Sequence, residues 1–254
     1  MLKELLLVFA LAVPLACSDS LSRQETADKW KPILVTVNEL AQPTDVYQAP
    51  LFGNQVSLHL YVLAPSDSSD LTAEVQAPDQ QPLTLPLQTL EMGEKTVSSY
   101  PGVDLLKFTA VARLPSQTNL GALDPSLAEA QLLRFRYGFL LSDGQRTVPV
   151  TGDFPAYSGA DIPGAQWNVL GSTISSPEDQ AETGQTVTLE ADLANPQGEA
   201  IKVGWYVSAG ELKNRRAEST EWTLPGSGTY TAIMTVRGKQ SRTAQLAVRT
   251  IKAP

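Results

Sequence analysis

The sequence has very little of the side-chain chemistry that enzymes and metal sites usually need. It contains one cysteine, Cys17, and one histidine, His59. With one cysteine the chain forms no internal disulfide, so packing alone must stabilise the fold. Histidine is the usual base and metal ligand near neutral pH, and a histidine site would have to be built around His59. These shortages argue against catalysis and against histidine or thiolate metal sites.

Long apolar runs are also missing, apart from one near the start of the chain. Leu5–Leu15 is shorter than the ~17 to 25 residues that a helix needs to cross a bilayer. The run has the length of the apolar part of a secretion signal, and it leads directly to Ala16-Cys17. We therefore expect residues 1–16 to be a signal peptide.

The Ala16-Cys17 junction resembles the processing site of bacterial lipoproteins. In that family a small residue precedes a cysteine that is acylated on its thiol and, after cleavage, on its new amino group. The resemblance implies that Cys17 carries a lipid anchor and that residues 17–31 form a polar tether. Ser18 after the cysteine implies sorting to the outer membrane of the cell envelope. The alternative is a soluble secreted protein that is cut near Ala16.

Most of the remaining chain alternates apolar and polar residues, which is the period of a β-strand. In Gln55–Ala64 the even-numbered residues from Val56 to Val62 are apolar, and His59 falls on the opposite, wetter face as a surface or edge residue. Ser142-Asp143-Gly144 predicts a hairpin turn, because aspartate and glycine tolerate the backbone angles of a tight reversal. A short helical segment is expected at Asp124–Ala130, where aspartate and proline favour a helix start.

Turn-forming residues from Tyr157 to Gly164 interrupt the alternation and suggest a domain boundary. We predict an all-β protein of two tandem Ig-like β-sandwich domains, at residues 32–160 and 165–254. Short strands separated by frequent turns are typical of sandwiches and barrels.

The second domain resembles bacterial immunoglobulin-like domains, including the PKD type. Three motifs carry the likeness: WYVSAGEL beginning at Trp205, WTLP beginning at Trp222, and GTY ending at Tyr230. In such domains a tryptophan fills the space between the sheets, and a tyrosine near a glycine ties a corner by a hydrogen bond. The resemblance implies that Trp205, Trp222 and Tyr230 belong to the structural core.

The formal net charge is −8, but the charge is unevenly distributed. The mature sequence is net negative up to Ala200 and net positive from Ile201 to Pro254. Clustered positive charge attracts anionic lipids, polymers or acidic proteins. The candidate partner-binding residues are Lys213, Arg215, Arg216, Lys239 and Arg242. The alternative is a solvated face, or one that pairs with the acidic first domain. Export and overall acidity argue against nucleic acid as a partner.

Acidic turns at Asp67–Asp70 and at Glu178, Asp179 and Glu182 are candidates for calcium, which takes several oxygen ligands. Neither has the ligand spacing of an EF-hand, so we expect ordinary solvated turns. We expect no metal and no cofactor.

These features predict a non-catalytic, lipid-anchored cell-envelope protein that binds or scaffolds an envelope or extracellular protein partner. One alternative is a glycan-binding module, since sugars stack on exposed aromatic rings and Trp167 lies beside the domain boundary. The other is a hydrolase that uses two carboxylates, although no such pair can be identified from the spacing of the acidic residues.

Overall fold

The computed structural model describes residues 29–38, 46–66, 70–77, 85–87, 90–168, 171–176, 180–182, 184–194, 198–239 and 243–254. The expected signal peptide, Cys17 and most of the tether lie outside these residues. So do Arg242, the acidic segment 67–69, the pair Glu178-Asp179 and the side chain of Trp167.

The described residues are mainly β-strand. The strands are β1 (Lys31–Val37), β2 (Val46–Gln48), β3 (Gln55–Ala64), β4 (Thr72–Val75), β5 (Leu85–Pro86), β6 (Glu91–Tyr100), β7 (Val103–Arg113), β8 (Leu132–Ser142), β9 (Thr147–Tyr157), β10 (Gln166–Asn168), β11 (Gly171–Ser175), β12 (Thr186–Ala194), β13 (Ile201–Val207), β14 (Glu211–Leu212), β15 (Ser219–Thr223), β16 (Gly228–Gly238) and β17 (Ala244–Ala253). Helix α1 (Gln117–Leu123) and a 3-10 turn (Pro125–Leu127) connect β7 to β8.

The N-terminal strands form two sheets that enclose one core. One sheet has the order β1-β3-β7-β6; in the other, β8 pairs with β9, and with β4 and β5. The apolar face of β3 packs inward, where Val56, Leu58 and Leu60 share a core with Phe135 and Phe139 of β8. We call this unit the N-terminal sandwich.

The C-terminal strands form sheets with the orders β11-β12-β15-β14 and β13-β16-β17. Lettered A to G along the chain, these seven strands give ABED in one sheet and CFG in the other, the order of an immunoglobulin constant-type domain. The N-terminal sandwich has the same order when β2 and β5 are set aside. The expected all-β, immunoglobulin-like fold class is therefore confirmed.

Two tryptophans occupy the core of this C-terminal sandwich. Trp205 of β13 and Trp222 of β15 are 1% and 0% exposed. Their indole N–H groups donate to the carbonyls of Ala217 and Ala209, at 2.8 and 2.9 Å. Tyr230 is partly buried beside this core, and its hydroxyl donates to the Ser227 carbonyl at 3.1 Å. Such a bond ties a corner at the start of β16.

The two sandwiches pack against each other through the outer faces of two sheets. Tyr206 and Ile233 meet a set of outward apolar side chains on β1, β3 and β7: Ile33, Leu34, Tyr61, Leu63, Val103 and Leu105. The Thr231 hydroxyl also donates across the contact to the Pro101 carbonyl at 3.0 Å. This apolar cluster joins the two sandwiches. The predicted domain bounds stay predictions.

His59 does not have the predicted wet surroundings. Only 9% of His59 is exposed, and its Nδ1 lies 3.1 Å from the Thr109 hydroxyl. Strand β3 is flanked by β1 and β7 instead of lying at an edge, and it is buried on both faces near its C-terminal end. The expectation of a surface or edge histidine was wrong, because alternation alone does not reveal a second layer.

The connection between β7 and β8 contains more helix than the sequence suggested. The 3-10 turn lies within the predicted segment, and the Asp124 carboxylate accepts the Ser126 N–H at 2.8 Å. Helix α1 before it was not predicted. Its Ser116 cap accepts the Asn119 N–H at 3.3 Å, and Leu120 is its only buried residue. One buried side chain gives too weak an apolar period to reveal a helix.

Candidate protein-binding surfaces

The predicted basic residues have different surroundings. Lys213 is paired with Glu221 of the adjacent strand at 3.2 Å, with both side chains well exposed. Arg215 and Arg216 lie in the exposed turn between β14 and β15. Lys239 is exposed after β16, and Arg242 lies outside the described residues. An exposed pair such as Lys213–Glu221 contributes little to stability, about 0 to 1 kcal/mol.

Arg216 also borders the contact between the two sandwiches. It lines a small cavity with Lys202 and Arg237, which lie directly opposite each other on β13 and β16. Tyr206 lines the same cavity, and the Lys31 ammonium lies 5.6 Å from its ring centroid. The cavity measures about 30 Å³, room for about one water molecule. It concentrates positive charge but is too small for a ligand.

Sequence inspection missed Lys202 and Arg237 because they lie 35 positions apart and each looks like an ordinary solvent-facing residue. Strand pairing brings them together, and like charges placed directly opposite in a sheet repel each other.

A much larger groove lies at the end of the N-terminal sandwich where β7 ends and β8 begins. Its volume is about 670 Å³. Helix α1 and strand β5 form its walls, and Phe135 of β8 belongs to its lining. The apolar lining also includes Leu85, Leu87, Leu114, Leu120 and Leu123. A groove of this size and composition is typical of a binding site.

Polar groups lie only along part of this groove. Arg113, Ser116 and Asn119 line it beside the apolar residues, and the Arg113 Nε donates to the Gly53 carbonyl at 3.2 Å. The Ser116 hydroxyl accepts the backbone N–H of Asn119 as the helix cap. The Arg113 and Ser116 side chains thus hold neighbouring backbone in the walls of the groove.

One leucine extends this apolar surface into solvent. Leu123 lines the groove at the end of α1 and is 76% exposed. Among the described residues the other exposed large apolar side chains are Val97 and Leu132, and neither lines the groove. We call the groove, with Leu123 at its exposed border, the end surface. The sequence did not reveal it because its residues come from four separate chain segments.

The described part of the chain begins at the opposite end of the same sandwich. Trp30 packs on the β8–β9 hairpin, where its indole N–H donates to the Asp143 carboxylate and the Arg146 guanidinium lies 4.7 Å from its ring. Asp143 lies eight positions after Phe135 along β8 and the turn, which is about 26 Å in a strand. Trp30 and the end surface are therefore a strand length apart.

The Asp143 carboxylate is held by several N–H groups. The Trp30 indole donates to it, and the backbone N–H groups of Arg146 and Gln145 donate at 2.6 and 2.9 Å. These bonds, with that of Trp30 the largest cause, lower the pKa of Asp143. Gly144 completes the turn with φ of 83°.

Comparisons with known proteins give no family and no curated relative. No protein-family model matches the chain, and no curated protein matches it. Solved structures resemble it only distantly.

Three of these structures indicate how distant the likeness is. The mouse nectin-like molecule 4 ectodomain is 12% identical over 90% of this chain, with a TM-score of 0.28. The fibronectin(III)-like modules of Clostridium thermocellum CbhA are 13% identical over 87% of the chain and 94% of the modules, with a TM-score of 0.30. InvD of Yersinia pseudotuberculosis is 12% identical over 86% of the chain, with a TM-score of 0.22.

The chain spans 64% of the mouse ectodomain and 57% of InvD, less than two thirds of either. TM-scores this low carry no argument about this chain, so the immunoglobulin-like assignment rests on its own strand order.

Other functions would need a metal site, a membrane-spanning helix or exposed tryptophan rings. The described residues contain no group of His, Cys, Asp or Glu side chains arranged to hold a metal ion. None of their helices is long and apolar enough to span a bilayer. Trp30, Trp205 and Trp222 are buried and present no ring face for a sugar to stack on.

Proposed function

We propose that this is a non-catalytic, lipid-anchored protein of the cell envelope, with the outer membrane as its location, and that it binds a protein partner through the end surface. The anchor is Cys17, by its resemblance to lipoproteins. The observation that carries the binding role is the apolar groove with Leu123 exposed beside it.

The exposure of Leu123 favours a protein over a small ligand. Leu123 lines the groove but is 76% exposed, so a small molecule inside the groove would cover only part of its side chain. A protein segment with apolar side chains would fill the groove of about 670 Å³ and also cover the rest of Leu123. Burying apolar area contributes roughly 25 cal/mol per Å², so the exposed part of Leu123 adds affinity only if the partner reaches it.

The position of Trp30 supports the same role. A lipid on Cys17 would tether the chain through residues that lead to Trp30, at the hairpin end of the sandwich. The end surface lies a strand length away from that point, about 26 Å. In a membrane-anchored molecule the point where the tether joins the fold would therefore lie at one end of the sandwich, and the end surface at the other.

The experiment is capture of partners from envelope extracts with the intact, lipidated protein in mild detergent. Leu123→Glu places a charge on the end surface and should abolish capture of one stoichiometric partner. Ala122→Glu is the matched control, because Ala122 is exposed on the same helix but does not line the groove.

A further variant separates the end surface from the basic residues. Replacing Lys213, Arg215 and Arg216 together by glutamate reverses the charge of the loop predicted from the sequence. If this variant loses the partner while Leu123→Glu retains it, the end surface is not the binding site and the basic loop is.

A further inference from the structure

Strand β6 forms one edge of the N-terminal sandwich. Within the described part of the chain it pairs only with β7, and residues Thr96–Ser99 are all exposed. A strand edge carries unpaired N–H and C=O groups, and another strand can pair with it.

The turn after β6 fixes which groups face outward. Pro101-Gly102 is a two-residue connection that makes Tyr100 and Val103 opposite partners. In a hairpin of this kind the residues flanking the turn are hydrogen-bonded to each other, and the pattern alternates from there. The N–H and C=O groups of Ser99, Val97 and Lys95 therefore point away from β7.

The usual protections of an edge are confined to the first part of β6. The register shifts between Met92 and Lys95, which is a bulge. The Lys95 ammonium is drawn inward, donating to the Leu71 carbonyl at 2.9 Å and lying 5.7 Å from the Phe108 ring centroid. From Thr96 to Ser99 the strand has no proline and no charged residue, and Val97 is 53% exposed.

Strand β9, an edge of the opposite sheet, is protected differently. It contains Pro149 and Pro155, which have no N–H to offer a new strand.

We propose that β6 pairs with β6 of a second copy of this chain, antiparallel about a two-fold axis at Val97. In this register Val97 faces Val97 of the partner subunit, so two exposed apolar side chains cover each other. Lys95 faces Ser99 of the partner subunit, so no like charges are opposed. The segment is thus complementary to itself, as a two-fold interface must be.

The contact is a short strand ladder, so it buries far less area than a permanent dimer does. We expect a weak, concentration-dependent dimer that anchoring in one membrane would favour. The inference is independent of the partner proposed for the end surface.

Disulfide trapping tests the register in the full-length protein. Val97→Cys places two thiols opposite each other at a Cα separation of about 5.5 Å, which a disulfide spans. Ser99→Cys is the matched control on the same edge. Its two thiols would lie about four residues apart along the strands, or about 13 Å, too far to link. Cys17 is common to both variants and cannot cause a difference.

We expect Val97→Cys to give a linked dimer under mild oxidation and Ser99→Cys to give none. Equal linking of both variants, or of neither, would overturn the proposal. Sedimentation of charge variants gives a second test, because it measures whether the chains associate. Val97→Lys and Val97→Glu should each be monomeric alone and should associate when mixed. Failure of the mixture to associate, while each variant keeps the wild-type unfolding temperature, would also contradict the pairing.

Discussion

The indole N–H of Trp30 donates to the carboxylate of Asp143, residues that lie 113 positions apart in the chain. The bond closes the hairpin end of the N-terminal sandwich over the start of β1, and Arg146 covers the other side of the indole. Trp30 is consequently 5% exposed, although it lies within residues 17–31, the segment expected to be a polar tether. The proposed tether therefore ends at a fixed point on the fold.

This bond predicts a pH dependence of the Trp30 environment. The folded-state pKa of Asp143 is lowered, so its stabilising contribution is present above the unfolded pKa and is lost as pH falls through the folded value. We expect acidification to weaken the bond in the wild type, and Asp143→Asn to weaken it already at neutral pH. Tryptophan emission between neutral and acidic pH would measure this.

Asp124→Asn is the control, because the pKa of Asp124 is also lowered but by bonds to Ser126 instead of to a tryptophan. An Asp124→Asn protein should keep the wild-type emission at neutral pH. Identical emission curves for Asp143→Asn and wild type would rule out the coupling.

The junction between the sandwiches predicts a large cost for truncating Ile233. Its side chain is 1% exposed and lies in the cluster that joins the two sandwiches. Ile233→Ala should lower the free energy of unfolding by about 2 to 5 kcal/mol, as expected for a buried isoleucine. Urea denaturation measures the loss. A change within the ±0.5 kcal/mol typical of surface substitutions would mean that the outer sheet face is not buried in solution.

Gly210 packs closely against Trp222 and Thr223, so a side chain at this position should clash. Its φ is 90°, and an added Cβ would lie 2.2 Å from the Thr223 carbonyl oxygen. Gly184 also has positive φ, 75°, but open space around it. We expect Gly184→Ala to cost about 1 to 2 kcal/mol from backbone conformation alone, and Gly210→Ala to cost clearly more. Thermal unfolding compares them, and equal losses would contradict the packing around Trp222.

The proposed anchor predicts the fate of a Cys17 variant. Wild-type protein should fractionate with membranes, resist extraction by salt and show the mass of acyl chains. Cys17→Ser removes the acylation site, so the protein should leave the membrane fraction or remain unprocessed. A mature wild-type mass without acyl chains would rule out the anchor.

Local patterns were enough to predict strand β3, and the resemblance to immunoglobulin-like domains was enough to predict the tryptophan core. That resemblance implied core positions for Trp205 and Trp222, and both side chains are buried. The Asp143-Gly144 turn was predictable because its geometry depends on adjacent residues.

Features that depend on contacts between distant segments were not predictable. Tyr61 and Leu63 lie on the face of β3 that alternation marks as exposed, yet both contact the C-terminal sandwich. The end surface combines the Gly53 turn, β5, α1 and the start of β8, which have no common sequence period. Such surfaces arise from topology, and one sequence does not reveal which faces the topology covers.

Site-specific photo-crosslinking in intact cells tests the central claim most directly. A photoreactive phenylalanine analogue at Leu123 should give one discrete adduct with another protein, whereas the same analogue at Lys213 should give none. An adduct at Lys213 with none at Leu123 would contradict the account.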